Sequence, residues 1–136
     1  MNARIKPENF TDIGWTERDR QDTLTSLADW LGKLAARLPE GQVLRVAITD
    51  VDRAGQVRPV AANIHGFRLL TGRADWPRVE LRYTLLDGSR TVKTGEARLF
   101  DLAYLQSRLT AELQRDGLGY EKRLLKKWFE QNFTNP

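Results

Sequence analysis

The chain has 136 residues, a formal net charge of +4 at pH 7, no cysteine and one histidine. This length fits one domain of ordinary size, and we expect residues 1–136 to form a single domain. The lack of cysteine excludes disulfides, thiolate metal sites and cysteine nucleophiles, and one histidine excludes a histidine-rich metal centre. The composition therefore offers few groups for chemistry.

The N-terminal residues do not have the pattern of a membrane anchor or a secretion signal. No run approaches the roughly 18 apolar residues of a membrane-spanning helix, and residues 1–6 lack an apolar core. The protein is therefore either cytoplasmic or preceded, ahead of Met1, by an export signal that has been removed. Residues 3–10 are compatible with a short strand, which Pro7 would end or confine to a sheet edge.

The most clearly marked element is a helix over about residues 17–38. Thr16 can cap its first turn, and Asp19, three positions later, completes a capping-box pair. Apolar residues then recur at helical spacing: Leu24, Leu27, Ala28, Leu31, Leu34, Ala35 and Leu38. The Pro-Glu-Gly sequence at 39–41 ends this helix.

Alternating residues predict the strands of a sheet. Residues 42–52 alternate, with Leu44, Val46 and Ile48 as the better core set, and residues 79–85 alternate in the same way. The Asp-Gly pair at 87–88 is a hairpin signal, so residues 91–100 return beside the preceding strand. Gly95 in this return strand suggests a bulge.

The remaining segments complete the predicted order. Residues 53–60 have loop composition, and residues 64–70 are compatible with a further strand. Residues 101–114, with Asp101 as cap, and residues 120–133 have helical apolar spacing. This order predicts an α+β fold: one mainly antiparallel sheet of about four to five strands, covered by helices on one face.

Two carboxylates at the end of a predicted strand form the first candidate site. Asp50 and Asp52 lie on one strand face, where they could hold Ca²⁺ or Mg²⁺. Ala54 and Ala61 stand where a calcium loop needs further oxygen ligands, so the ligand set is incomplete. The alternative is that turn amides or a nearby arginine satisfy both carboxylates.

Catalytic groups are otherwise scarce. His65 could act as a general base, but no nucleophile or orienting partner for it is visible in the sequence. We therefore predict no catalytic residue and no cofactor. The enzyme alternative is a metal-dependent hydrolase, in which Asp50 and Asp52 act with Asp12 or His65.

The positive charge is concentrated near the C-terminus, where residues 115–127 have five positive and two negative charges. Four cations fall close together at helical spacing: Lys122, Arg123, Lys126 and Lys127. They predict a basic helix face that contacts phosphate or another anionic component. The alternative is a solvated helix face. No nucleic-acid-binding motif accompanies the cations, which argues against nucleic acid.

Tryptophan is abundant, with four residues in the chain. Trp15 and Trp76 lie in predicted loops, where an exposed indole would indicate contact with a partner. Packing in the core is the alternative for each of them.

Several motifs resemble a bacterial family of uncharacterised proteins known as domain of unknown function 3016. The motifs are FTDI at 10–13, LPEGQ at 38–42, TDVDRAG at 49–55, WPRVEL at 76–81, YTLLD at 83–87, GE at 95–96, YEKRLL at 120–125 and WF at 128–129. They extend over nearly the whole chain, and none of them is a catalytic motif.

This resemblance implies an exported bacterial protein, periplasmic in its location, and it favours the removed-signal interpretation of Met1. It transfers no activity. Together with the scarcity of catalytic groups, it leads us to expect a binding or accessory domain whose partner is a protein or an anionic component of the envelope.

Overall fold

The computed structural model describes residues 16–60, 63–69 and 75–133, and this part of the chain is α+β, as the sequence predicts. The elements in chain order are α1 (Glu17–Ala35), β1 (Gln42–Asp52), β2 (Gln56–Val60), β3 (Asn63–Leu69), β4 (Arg78–Asp87), β5 (Arg90–Phe100), α2 (Ala111–Gln114) and α3 (Gly119–Phe133). The strand predicted over residues 3–10 lies outside the described residues.

The capping box predicted for α1 is confirmed. The amide of Asp19 donates to Thr16 Oγ1 at 3.0 Å, and the amide of Thr16 donates to Asp19 Oδ2 at 3.4 Å. The helix ends at Ala35 rather than at residue 38, and a tighter turn follows in which the amide of Leu38 donates to the Ala35 carbonyl. Pro39 favours the early end, because it has no amide that could donate to the Ala35 carbonyl and continue the helix.

The main sheet has three antiparallel strands in the order β1–β4–β5. The side chains of Leu44, Val46 and Ile48 are buried, as the alternation predicts, and they share the core with α1 and α3. Asp87 and Arg90 face each other across the two-residue loop that joins β4 to β5, and Gly88 in this loop has a φ of 63°. A positive φ at this position explains the need for glycine.

The second group of strands differs from the prediction, which placed about four to five strands in one sheet. β2 and β3 pair with each other as a separate two-stranded antiparallel ribbon. β2 lies within residues 53–60, which the sequence assigns to a loop, whereas β3 agrees with prediction to within one residue. Pro59 sits where the pairing is irregular, between Arg58 and Val60. A proline cannot donate to a ladder, so such irregularities accommodate it.

Gly95 does not form the predicted bulge. It pairs in register with Tyr83, and the irregularity lies at Val92, which is skipped between the pairs Leu85–Lys93 and Leu86–Thr91. A Cβ at Gly95 would lie 3.0 Å from the hydroxyl of Tyr83. The glycine therefore leaves room for the aromatic ring.

The helix predicted over residues 101–114 is wrong over most of its length, because only Ala111–Gln114 is helical. Asp101 does not cap a helix; its Oδ1 accepts from the amide of Ala103 in a tight turn at 3.0 Å. Leu102 and Leu105, which the helical spacing would bury, are exposed, and Tyr104 between them is fully buried. We call residues 101–110 the turn segment. Contacts other than the packing of an apolar helix face therefore hold it in place.

Candidate functional site

A cleft of about 540 Å³ lies between the turn segment and the start of α3. Its lining includes Leu105, Gln106, Arg108, Gln114, Asp116 and Tyr120. Arg108 is exposed at this site. The cleft therefore combines aliphatic, aromatic, amide and cationic groups.

Arg123 fixes the turn segment that forms one wall of the cleft. Its Nη1 donates to the Ser107 carbonyl at 2.8 Å, and its Nη2 donates to the Tyr104 carbonyl at 2.8 Å and to Asp101 Oδ2 at 3.4 Å. The guanidinium also lies 5.3 Å from the ring centre of Tyr120. One side chain thus ties α3 to three residues of the turn segment.

Buried polar groups connect the cleft with the end of β1. Glu121 is 1% exposed, and its Oε2 accepts from the amide of Ala54 at 2.7 Å. The buried hydroxyl of Tyr104 donates to Asp75 Oδ1 at 2.8 Å. Buried polar groups of this kind stabilise one arrangement of the surrounding chain when they are hydrogen-bonded.

Glu121 is a residue that the sequence analysis missed, although the sequence contains a signal for it. It falls on the helix face of Leu124, Leu125 and Trp128, at spacings of three, four and seven residues. A carboxylate on the apolar face of an amphipathic helix indicates a buried hydrogen-bonded acid.

Asp116 and Lys122 form an ion pair beside the cleft. The carboxylate of Asp116 also accepts from the amide of Leu118 at 2.9 Å. Burial alone would raise the pKa of Asp116, but its hydrogen bonds and the nearby charges of Lys122 and Arg53 outweigh this effect. The pKa of Asp116 is therefore lowered below its ordinary value.

Gly119 allows α3 to begin close to α2. A Cβ at this position would lie 2.8 Å from Leu109 Cδ1 and would overlap the carbonyl oxygen of Leu113. Any larger side chain would therefore push apart two elements that border the cleft.

The cations predicted to form one basic face do not lie together on the surface. Lys122 is buried at its ion pair with Asp116, and its ammonium lies 5.7 Å from the ring centre of Trp30 in α1. The side chain of Arg123 is 13% exposed and engaged by the turn segment. Lys126 is half-buried and Lys127 is exposed. Tertiary contacts thus engage two of the four cations, Lys122 and Arg123. Helical spacing does not reveal these contacts.

The structure places the two candidate metal ligands beside an arginine. Arg78 Nη2 lies 3.1 Å from Asp50 Oδ2 and 4.0 Å from Asp52 Oδ2. The strand register explains this contact, because Arg78 lies directly opposite Asp52. In residues 16–60, 63–69 and 75–133, no group of three or more His, Cys, Asp or Glu residues is arranged to hold a metal ion.

The other candidate residues lie in different parts of the chain. Trp76 is half-buried in the extended segment before β4, and His65 lies in β3. Trp15 and Asp12 lie outside the described residues.

A group of exposed apolar side chains was missed by the sequence analysis. Phe100 is 56% exposed, Leu102 57% and Leu105 43%. A helix over residues 101–114 would place Leu102 and Leu105 on its apolar face, so the helical spacing predicts that both are buried. Leu105 also lines the cleft.

Among the helices that the structure describes, none is long and apolar enough to cross a membrane.

The geometry thus defines an α+β domain with a polar and apolar cleft. Residues 4–131 match the model of a family described as a protein of unknown function, DUF3016. The chain belongs to this family, as its motifs predict. No curated protein and no solved structure matches it.

Proposed function

We propose that the protein is a non-catalytic binding domain that holds a segment of a partner protein at the cleft. The observation that carries this proposal is the exposure of Phe100, Leu102 and Leu105 within six residues of chain. Exposed apolar side chains that occur in groups are typical of contact sites on soluble proteins. Leu105 joins this group to the cleft, which offers depth for one side chain of the partner.

The charges around the cleft favour an acidic partner segment. Arg108 in the lining and Arg115 after α2 are both exposed cations. The carboxylates of Asp116 and Glu121 are engaged within the chain, by Lys122 and by the amide of Ala54. A segment with an apolar side chain and a neighbouring carboxylate would complement this surface. Contact of Lys126, Lys127 or Trp76 with an anionic partner stays a prediction.

Selection from a displayed library of short random peptides tests this proposal. We expect the selected peptides to combine apolar residues with Asp or Glu. Their binding should weaken at least tenfold in the double variant Leu102→Gln, Leu105→Gln, because an anchor worth about 1.4 kcal/mol corresponds to a factor of ten. Arg108→Glu should weaken the same peptides through charge.

Val43→Gln is the matched control for these variants. Val43 is also a large exposed apolar residue, 51% exposed, but it lies on β1. Peptides that bind this control and the leucine variant equally would contradict the proposed site. A library that yields no binding peptide would contradict the proposed function.

A periplasmic location in the bacterial envelope is the second part of the proposal. The support for it is the family resemblance, which implies export. Fusion of alkaline phosphatase to the complete reading frame in the native host measures export, because this enzyme is active only where its disulfides form. Active fusions are expected, and inactive fusions would favour the cytoplasm.

A metal-dependent hydrolase centred on Asp50 and Asp52 is less well supported. Arg78 contacts both carboxylates, so a divalent cation would have to compete with a positive charge at the same oxygens. The contact with Arg78 corresponds to the alternative interpretation of the two residues, in which a nearby arginine satisfies them.

A further inference from the structure

Among the described strands, β1 and β5 form the two edges of the main sheet, and the edge at β5 has a distinctive pattern of charges. Among the described strands, β5 has β4 on one side and borders the sheet on the other. Its 11 residues make it a long edge, and none of its side chains is fully buried. Long edge strands offer a row of backbone donors and acceptors to a further strand, and proteins either cover them or control which strand can pair.

We propose that β5 pairs with β5 of a second copy of this chain, antiparallel, with the two-fold axis at Ala97. The two three-stranded sheets would then form one continuous sheet. In this register Glu96 lies opposite Arg98 of the second copy, and Arg98 lies opposite Glu96 of the second copy. Closed two-fold pairing is the commonest form of self-association.

The charges on the outer face of the sheet select this register. Within one chain, Arg98 contacts Glu80 of β4 at 3.0 Å, and Glu96 lies 3.9 Å from Arg82 of β4. The pairing would join these contacts into rows of side chains that alternate in charge and cross both copies. One row runs from Glu80 to Arg98, then to Glu96 and Arg82 of the second copy. Opposite charges directly across a strand pair are stabilising.

The neighbouring registers are unfavourable. Moving the axis by one residue toward the start of β5 places Glu96 opposite itself, and moving it toward the end places Arg98 opposite itself. Like charges directly across a strand pair destabilise it. On the other face of β5, the proposed register brings together Ala97 from both copies and places Gly95 opposite Leu99. These positions are half-buried. Glycine and alanine are small, so they leave room for the two β5 strands to approach each other.

This proposal shares Phe100 with the proposed partner contact, and its test uses complementary charge reversals at Glu96 and Arg98, which lie outside that contact. Glu96→Arg gives a chain whose homodimer would pair arginines only, and Arg98→Glu gives one that would pair glutamates only. Sedimentation velocity over a concentration series should show a wild-type dimer and at least tenfold weaker association of each variant alone. An equimolar mixture should recover the dimer, because each cation then faces a carboxylate.

Arg45→Glu is the matched control, since Arg45 is an exposed cation on β1. It should associate as the wild type does. In the ion pairs that the reversals disturb, Arg82, Glu96 and Arg98 are at least 65% exposed and Glu80 is 24% exposed. Pairs that are largely exposed contribute little to stability, so the variants should fold. A wild-type chain that stays monomeric, or a mixture that does not recover the dimer, would overturn the proposal.

The register has its own test, since the chain has no native cysteine. Thr94→Cys and Phe100→Cys fall opposite each other only with the axis at Ala97. A mixture of these two variants should cross-link efficiently with a short thiol-reactive reagent, whereas each variant alone should not. Efficient cross-linking within one variant would exclude the proposed axis.

Discussion

Replacing Arg123 with methionine should lower the free energy of unfolding by about 2–4 kcal/mol, because a hydrogen bond to a charged group contributes about 1.5–3 kcal/mol. The two shortest bonds, to the carbonyls of Tyr104 and Ser107, are both 2.8 Å long, and the side chain is 13% exposed. Methionine keeps much of the apolar stem but no donor. Denaturant unfolding measures the loss.

Arg37→Met is the control for this prediction. Arg37 also forms an ion pair, with Glu130 at 3.2 Å, but both side chains are more than 40% exposed. Its loss should cost less than about 1 kcal/mol. Equal midpoints for the two variants would show that Arg123 does not hold the turn segment.

Amide exchange gives a local readout of the same change. The amides of Ala103 and Gln106 are hydrogen-bonded within the turn segment, to Asp101 Oδ1 and to the Ala103 carbonyl. In Arg123→Met the exchange of these amides should accelerate, relative to the wild type, more than that of the β4 amides. Arg123→Lys should give an intermediate result, because one ammonium cannot reproduce the fork of a guanidinium. Arg123 is thus a positioning residue for the cleft.

Local signals explain the parts of the fold that the sequence predicts. The start of α1 depends on Thr16 and Asp19, which contact each other across three residues. The β4–β5 hairpin depends on Gly88, whose positive φ suits a tight turn. In both cases the deciding interaction lies within a few residues, so the sequence pattern contains it.

The turn segment shows why the rest could not be predicted. Leucines at helical spacing favour a helix over residues 101–114, but a helix also needs a surface against which its apolar face can pack. Here Tyr104 takes the buried position and bonds Asp75, which lies 29 residues away along the chain. Arg123 donates hydrogen bonds to two backbone carbonyl groups of the segment. Contacts between residues so far apart along the chain cannot be read from the spacing of the leucines.

Contacts that are distant along the chain also limit the prediction of the candidate site. Helical spacing shows correctly that Lys122 and Arg123 belong to one helix, but it does not show which neighbours that helix has. Asp116 precedes Lys122 by six residues and meets it only because the chain turns at Gly117 before α3 begins. Lys122 and Arg123, which the spacing assigns to a partner, are therefore engaged by Asp116 and by the turn segment beside the cleft.

Lys122→Met should destabilise the protein by about 1.5–3 kcal/mol at neutral pH, because it removes a charged donor from a carboxylate. The lysine side chain is 10% exposed and that of Asp116 is 27% exposed. Methionine can keep the packing of the lysine stem against Trp30. Glu112→Gln, on the surface pair of Glu112 with Lys33, is the control, since both of those side chains are more than 60% exposed.

The pH dependence of Asp116→Asn distinguishes the ion pair from simple packing. The pKa of Asp116 is lowered in the folded protein, so the unfolded chain binds its proton more readily as the pH falls. The stabilisation is therefore complete above the unfolded pKa of about 4 and is lost as the pH falls through the folded pKa. The difference in unfolding free energy between wild type and Asp116→Asn should be largest near pH 7 and shrink toward pH 2. A difference that stays constant over this range would mean that the charge of Asp116 does not stabilise the start of α3.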